Sequence, residues 1–248
     1  MTVVEFGKSF SGQICLALGY FDGMHLGHRK IMQATLDKAK ELGCIPSIST
    51  FADSPGEKTP IYAYHDRKEL YEQCGAEVCL TLYYSAICHM TGKAFFEKLM
   101  QLYAPKHVVC GDDYTFGSDR LKVADLSALC DQYAVGLTVV PEVLYCGVKV
   151  SSTAVRNFLI SGDVDAARKM LVVPYHVQGD IVSGDGRGRN IGIPTINLRF
   201  PIGITQIKNG VYGTYTKIGD KLYRSVTNVG PRPTFYQNKP AVETNLID

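Results

Sequence analysis

"ICLALGYFDGMHLGHRKIMQATLDKAKELG", residues 14–43, changes its period midway. Its first part, "ICLALG" (14–19), is a short unbroken apolar run and reads as a strand buried on both faces. Its last part, "GHRKIMQATLDKAKELG" (27–43), spaces apolar residues as one helix face and stops at Gly43. Between them, His25 and His28 stand three apart around Gly27. Ligands of open parallel sheets bind at strand-to-helix junctions of this kind. The helix start also offers free N–H groups and a positive dipole end, which favour phosphate. Gly23 and Gly27 let the backbone approach a ligand closely. Imidazoles donate hydrogen bonds to phosphoryl oxygens, which suits nucleotidyl transfer, where positioning and charge stabilisation dominate. A satisfied pair of histidines in a turn is the plainer alternative.

The alternation continues outward. "CIPSISTF" (44–51), "EVCLTL", "KHVVCG" (106–111) and "GLTVVPEV" read as strands. "YHDRKELYEQCG", "KAFFEKLMQLY" and "VADLSALCDQYA" read as helices between them, and "SSTAVRNFLISGDVDAARKML" (151–171) as two short helices around Ser161 and Gly162. Strands alternating with helices predict a parallel sheet covered on both faces. "SPGEKTPIYAY" (54–64) is the one long turn-rich insertion in this half and is expected to be a mobile loop over the site. After about residue 172 the texture becomes short, β-rich and Gly-punctuated, as in "GVYGTYTKIG" and "KLYRSVTNVG", which predicts a small antiparallel barrel or sandwich. The expected division is therefore 1–171 and 172–248.

The 248 residues carry a net charge of +2 and 46% apolar residues, enough for a core but no footprint for bulk nucleic-acid or membrane binding. No apolar run approaches a membrane span, and "MTVVEFGKSF" lacks the regions of a signal peptide, so a cytoplasmic protein is expected. The eight cysteines form no CxxC and read mostly as small buried apolar residues.

Two further motifs leave the same sheet edge. "CGDDYTFGSD" (110–119) places Asp112 and Asp113 to order a ribose or base, or to help hold a metal, or simply to cap a turn. In "VSSTAVRNF" (150–158), Ser151 or Ser152 caps a helix and Arg156 follows one turn on. Hydroxyls plus an arginine there form either a polyphosphate clamp or an ordinary cap. In the second half, "GDGRGRNIGIPTINL" (184–198) offers backbone N–H groups to phosphates, and Thr195 and Asn197 alternate along one strand to present two oxygens to Mg²⁺.

Taken together these motifs resemble the bacterial bifunctional riboflavin kinase/FMN adenylyltransferase (FAD synthetase) family. "GYFDGMHLGH" is similar to its GxFDGxHxGH, "GDDYTFG" to its G-x-[ND]-[FY]-x-FG, and "SSTAVR" to its SSTxxR. "GDGRGRNIGIPTINL", "GVY" (210–212), "NVGPRPTF" (228–235) and "VETNLID" (242–248) resemble pieces of its kinase module. The resemblance implies a Rossmann-like HxGH nucleotidyltransferase domain, then a riboflavin-kinase-type β-barrel. It implies that His25, His28 and Arg156 act on the ATP phosphates, with Gly19, Phe21, Asp22, Gly23, Gly27, Asp113, Ser152 and Thr153 around the nucleotide. It further implies Gly188, Thr195 and Asn197 for Mg²⁺–ATP in the kinase module, and Glu243 as base toward the ribityl hydroxyl.

Departures are "TFADSPGEKTP" (50–60) for F-x-P-x-P, "VVPY" (172–175) for G-R-P-Y, and Asn245 for His. The chain also stops at Asp248, where the family continues, so a C-terminally shortened, incomplete barrel is expected. The expected reaction is ATP plus FMN giving FAD and pyrophosphate, with Mg²⁺ and with small-molecule partners only. The alternatives are a bifunctional enzyme that also phosphorylates riboflavin, and a non-catalytic flavin- or nucleotide-binding regulatory module.

Overall fold

The structure is a computed structural model in which residues 1–56, 59–182, 194–231 and 240–247 are described. The first half is a six-stranded parallel sheet of order β1-β4-β3-β2-β5-β6. Its strands are β1 (Thr2–Glu5), β2 (Ile14–Ala17), β3 (Ile45–Phe51), β4 (Val78–Leu82), β5 (His107–Gly111) and β6 (Gly136–Val140). The two faces are separate cores, because neighbouring residues of one strand point opposite ways. Cys15, Ala17, Ile48 and Val109 belong to one core, with Ile31 and Met32 of α1 (Leu26–Leu42) and Tyr71 of α2 (Tyr64–Gln73). Ile14, Leu16, Val108 and Cys110 belong to the other, with Phe95, Phe96 and Leu99 of α4 (Gly92–Tyr103) and Leu126 of α5 (Val123–Gln132). A four-residue helix, α3 (Tyr84–Ile87), lies between β4 and α4.

The strand order reverses beside β2: β3 and β4 lie on one side of it, and β5 and β6 on the other. Both the histidine loop, which follows β2, and the Asp112–Asp113 turn, which follows β5, leave the sheet at this reversal. That is the position at which such sheets open a crevice.

Two helices, α6 (Ser152–Ser161) and α7 (Val164–Met170), then pack Val155, Leu159 and Met170 onto the α1 face. A small hairpin, β7 (Leu144–Tyr145) with β8 (Val148–Lys149), precedes them. The second half is a five-stranded antiparallel sheet of order β11-β12-β13-β10-β9. It comprises β9 (Ile181–Val182), β10 (Ile196–Arg199), β11 (Gly210–Ile218), β12 (Lys221–Pro231) and β13 (Pro240–Leu246). The parallel α/β sheet followed by antiparallel strands is the order read from the sequence.

Three details differ from expectation. The insertion at 54–64 is anchored: Ile61 and Tyr62 are completely buried, so its second half is core. Cys88 and Cys146 are exposed, and all eight cysteines are free. The first residues form an edge strand, β1, pairing with β4.

Candidate active site

The turn after β2 is held in an unusual shape. Phe21 (φ 51°) and Met24 (φ 42°) both adopt the left-handed region, which costs a non-glycine residue about 1 kcal/mol or more. Both are buried, and a Cβ on Gly19 would come within 2.9 Å of the Phe21 ring. Packing against Phe21 therefore requires glycine at 19. A Cβ on Gly23 would meet Ile61 at 2.7 Å, so that position serves the anchored insertion.

His25 is the N-cap of α1, and its Nδ1 accepts a hydrogen bond from the His28 backbone N–H at 3.3 Å. An accepting Nδ1 puts the proton of the neutral ring on Nε2. The His28 ring stacks on His25 at 3.6 Å and meets the Phe21 edge at 5.0 Å. His28 Nδ1 is buried and has no hydrogen-bond partner among the described residues. Burial lowers the pKa of His25 to about 4, with Asp113 pulling the other way. Burial and then the neighbouring His25 push that of His28 well down. Both rings are neutral at pH 7. The first turn of α1 holds no acidic residue, so no side chain of that turn offsets its positive dipole end.

The histidines open into a cleft of about 710 Å³. Gly19, Phe21, Gly27, Asp112, Asp113, Ser151 and Ser152 line it with them. Asp113 accepts from Lys149 at 2.9 Å, and Lys149 also reaches Glu142 at 3.4 Å. Ser151 caps α6 by accepting from Ala154 N–H, which leaves the Ser152 hydroxyl to the cleft. Thr153 is exposed and does not line it.

Asp22 and Arg156 lie behind the cleft lining, where they hold each other. Asp22 is almost fully buried, accepts from Ile61 N–H at 2.7 Å, and pairs with Arg156 Nη2 at 2.7 Å. Arg156 Nε donates to the Thr59 carbonyl. Burial raises the Asp22 pKa, opposed by the Ile61 N–H and the Arg156 charge. This pair ties the histidine loop, α6 and the insertion together, a linkage invisible in sequence spacing.

The remaining predicted residues form a separate group. Asn197 on β10 faces Glu243 on β13 in register, and Glu243 faces Asn228 on β12. Directly opposed residues share a sheet face, so the three make a cross-strand row. Asn197 Nδ2 donates to the Thr195 carbonyl, and Thr195 lies just before β10. Gly188 lies outside the described residues. Among the described residues, no group of three His, Cys, Asp or Glu is arranged to hold a metal. The neutral oxygens of Thr195 and Asn197 suit a hard cation that arrives with phosphates.

Residues 8–154 match the FAD synthetase family, and residues 171–248 match the riboflavin kinase family. The bifunctional riboflavin kinase/FMN adenylyltransferase of Bacillus subtilis (strain 168) is 32% identical, over 97% of this chain and 80% of its own length. The protein of that name from Escherichia coli (strain K12) is 29% identical over 94% of this chain and 78% of its own. A crystal structure described as a macrolide-efflux protein from Streptococcus pneumoniae superposes with a TM-score of 0.89 and 29% identity, covering 100% of this chain and 85% of that one. In the present chain no helix among the described residues is long and apolar enough to cross a membrane.

Proposed function

The chain belongs to the FAD synthetase family of bifunctional riboflavin kinase/FMN adenylyltransferases, and from that premise we propose that it adenylylates FMN. An oxygen of the FMN phosphate attacks the ATP α-phosphorus in line. The bond to the bridging oxygen of the β-phosphate breaks, giving FAD and pyrophosphate. The FMN phosphate is already ionised, so no strong base is required. The observation that carries the reading is the neutral, stacked His25–His28 pair at a helix N-terminus whose first turn holds no acid, opening into the cleft.

The His25 Nε2–H and the His28 ring donate to the α- and β-phosphate oxygens, where charge grows in the transition state. A polyanion drawn against them also favours their protonated forms, which strengthens those bonds. Ser152 and the α6 N-terminus take the outer phosphates. Arg156 matches the family clamp, and reaching a phosphate requires it to exchange Asp22 for the ligand. Asp113, which also lines the cleft, orders the nucleotide. Mg²⁺, entering with ATP, neutralises phosphate charge when bound.

A second reading, that the chain also phosphorylates riboflavin, is favoured by the in-register Asn197–Glu243 pair on the module that matches riboflavin kinases. There Thr195 and Asn197 would hold Mg²⁺, and Glu243 would take the ribityl proton. We place the boundary between the modules at residues 171–172 and the protein in the cytoplasm, where eight unpaired thiols are kept reduced.

Incubation with ATP, Mg²⁺ and either FMN or riboflavin, resolved by chromatography, tests both readings. FAD should form from FMN, and His28→Ala should lower kcat/KM about 100-fold. Folded protein that forms no FAD at saturating substrates would overturn the assignment.

A further inference from the structure

Arg67, on α2, heads the largest fully buried side chains and forms no ion pair among the described residues. A buried guanidinium is costly unless its donors are satisfied; here both Nη groups find acceptors, while Nε is buried without a hydrogen-bond partner among the described residues. Its Nη1 donates to Thr50 Oγ1 at 2.9 Å, to Tyr71 OH at 3.4 Å and to the Tyr20 carbonyl at 3.4 Å. Its Nη2 donates to the Phe51 carbonyl at 2.9 Å, and the Tyr20 ring lies 4.8 Å from the guanidinium carbon. An apolar side chain of similar volume would fill this space without that desolvation cost. The pattern of acceptors gives a reason for the arginine.

Apart from Tyr71 on α2 itself, those acceptors lie on two segments, Tyr20 in the turn after β2 and the Thr50–Phe51 end of β3. One helical turn beyond Arg67, the Tyr71 hydroxyl donates to the Phe21 carbonyl at 3.0 Å, and Thr50 Oγ1 donates to the Tyr20 carbonyl at 2.7 Å. Three side chains therefore grip two consecutive peptides. These flank the left-handed Phe21 (φ 51°), whose ring abuts His28. Neither Arg67 nor Tyr71 lines the cleft.

We propose that Arg67, with Tyr71, is a positioning residue for adenylyl transfer: it fixes the Phe21 turn and so aims the His28 ring. The proposal rests on reading the cleft as the adenylyltransferase site. The planar fork of arginine reaches the Phe51 carbonyl and Thr50 at once, whereas a lysine brings a single point of attachment.

The test compares Arg67→Met, Arg67→Lys and Tyr71→Phe. For each, kcat and both KM values are measured for FAD formation, along with the His28 ring NMR signals in substrate-free protein and the thermal midpoint. Small misplacements of a catalytic group cost up to about 100-fold. Arg67→Met should therefore lose about 100-fold in kcat and Tyr71→Phe about 10-fold, with KM values little changed. Arg67→Lys should fall between them, and His28 signals should move in all three. If Arg67→Met does not fold, the two milder variants decide. Unchanged kcat and unmoved His28 signals in those two, with only the midpoint lowered, would reduce Arg67 to packing and overturn the proposal. If the unsubstituted protein makes no FAD, the functional reading falls instead, and the His28 signals alone decide the positioning role.

Discussion

The His28 ring has His25 stacked on one side and the Phe21 edge beside it. Its neutrality is thus a consequence of packing, as is that of His25. This has a sign that stability measurements can read. The unfolded histidines take up protons near pH 6.5, whereas folded His25 does so only near pH 4. Between those values the unfolded chain binds more protons, so stability is complete above pH 6.5 and falls as the pH drops toward 4. His25 alone accounts for about 3 kcal/mol across that window. His28 adds a loss of the same sign, and the Asp113 charge facing His25 works against it. Urea midpoints at pH 7, 5.5 and 4.5 should decline, and His25→Asn, which keeps an N-cap, should flatten the decline. At this scale the sequence revealed the histidines, because their spacing around a glycine is itself the signal. Arg67 and Tyr71 were not legible, since an arginine on a polar-looking helix gives no sign of being buried. The Asp22–Arg156 pair was hidden too, because its members lie 134 positions apart.

Helix α1 shows how an element carries the site. Gly27 sits in its first turn, where alanine would ordinarily favour the helix by up to about 1 kcal/mol. Here a Cβ at position 27 would lie 3.1 Å from Cε1 and Nδ1 of His25. The ring that must yield is the N-cap itself. Gly27→Ala should therefore leave the thermal midpoint unchanged or slightly higher while lowering kcat for FAD formation about 10-fold. An unchanged kcat would show that the His25 ring accommodates the methyl without losing its aim, and would overturn the prediction. The helices and central strands were legible from periodicity, and α1 ends as expected with a left-handed Gly43 C-cap. The four-residue elements β1 and α3 were not, being too short to show a period. The 54–64 insertion misled because its Pro and Gly content signals a turn. Ile61 and Tyr62, fully buried, were the contrary signal.

The whole molecule adds what neither module shows alone. The strand order, which puts the β2 and β5 loops side by side, is a tertiary fact that alternation of strands and helices leaves open. The docking of the antiparallel half is another. Thr205 is 1% exposed, and its N–H donates to the Pro60 carbonyl at 2.7 Å. Its hydroxyl meets the Thr59 and Pro60 carbonyls at 3.1 and 3.0 Å. Tyr175 donates to the Thr205 carbonyl, and Val172 N–H donates to that of Met24. The docked segment is the same one that receives Arg156 at Thr59 and presents Ile61 N–H to Asp22. Module docking and the histidine loop therefore share three consecutive residues, 59–61. Thr205→Val keeps the β-branched shape and the backbone bond but removes the hydroxyl donor. It should cost about 1 kcal/mol, the usual worth of such a bond. It should also lower kcat/KM for FAD formation severalfold, although position 205 lies outside the segment that matches FAD synthetases. Thr205→Ser, which retains the hydroxyl, should recover the rate. Urea unfolding and steady-state kinetics on both variants decide the matter. A valine variant less stable yet fully active would mean that residues 59–61 dock the second module without steering the first.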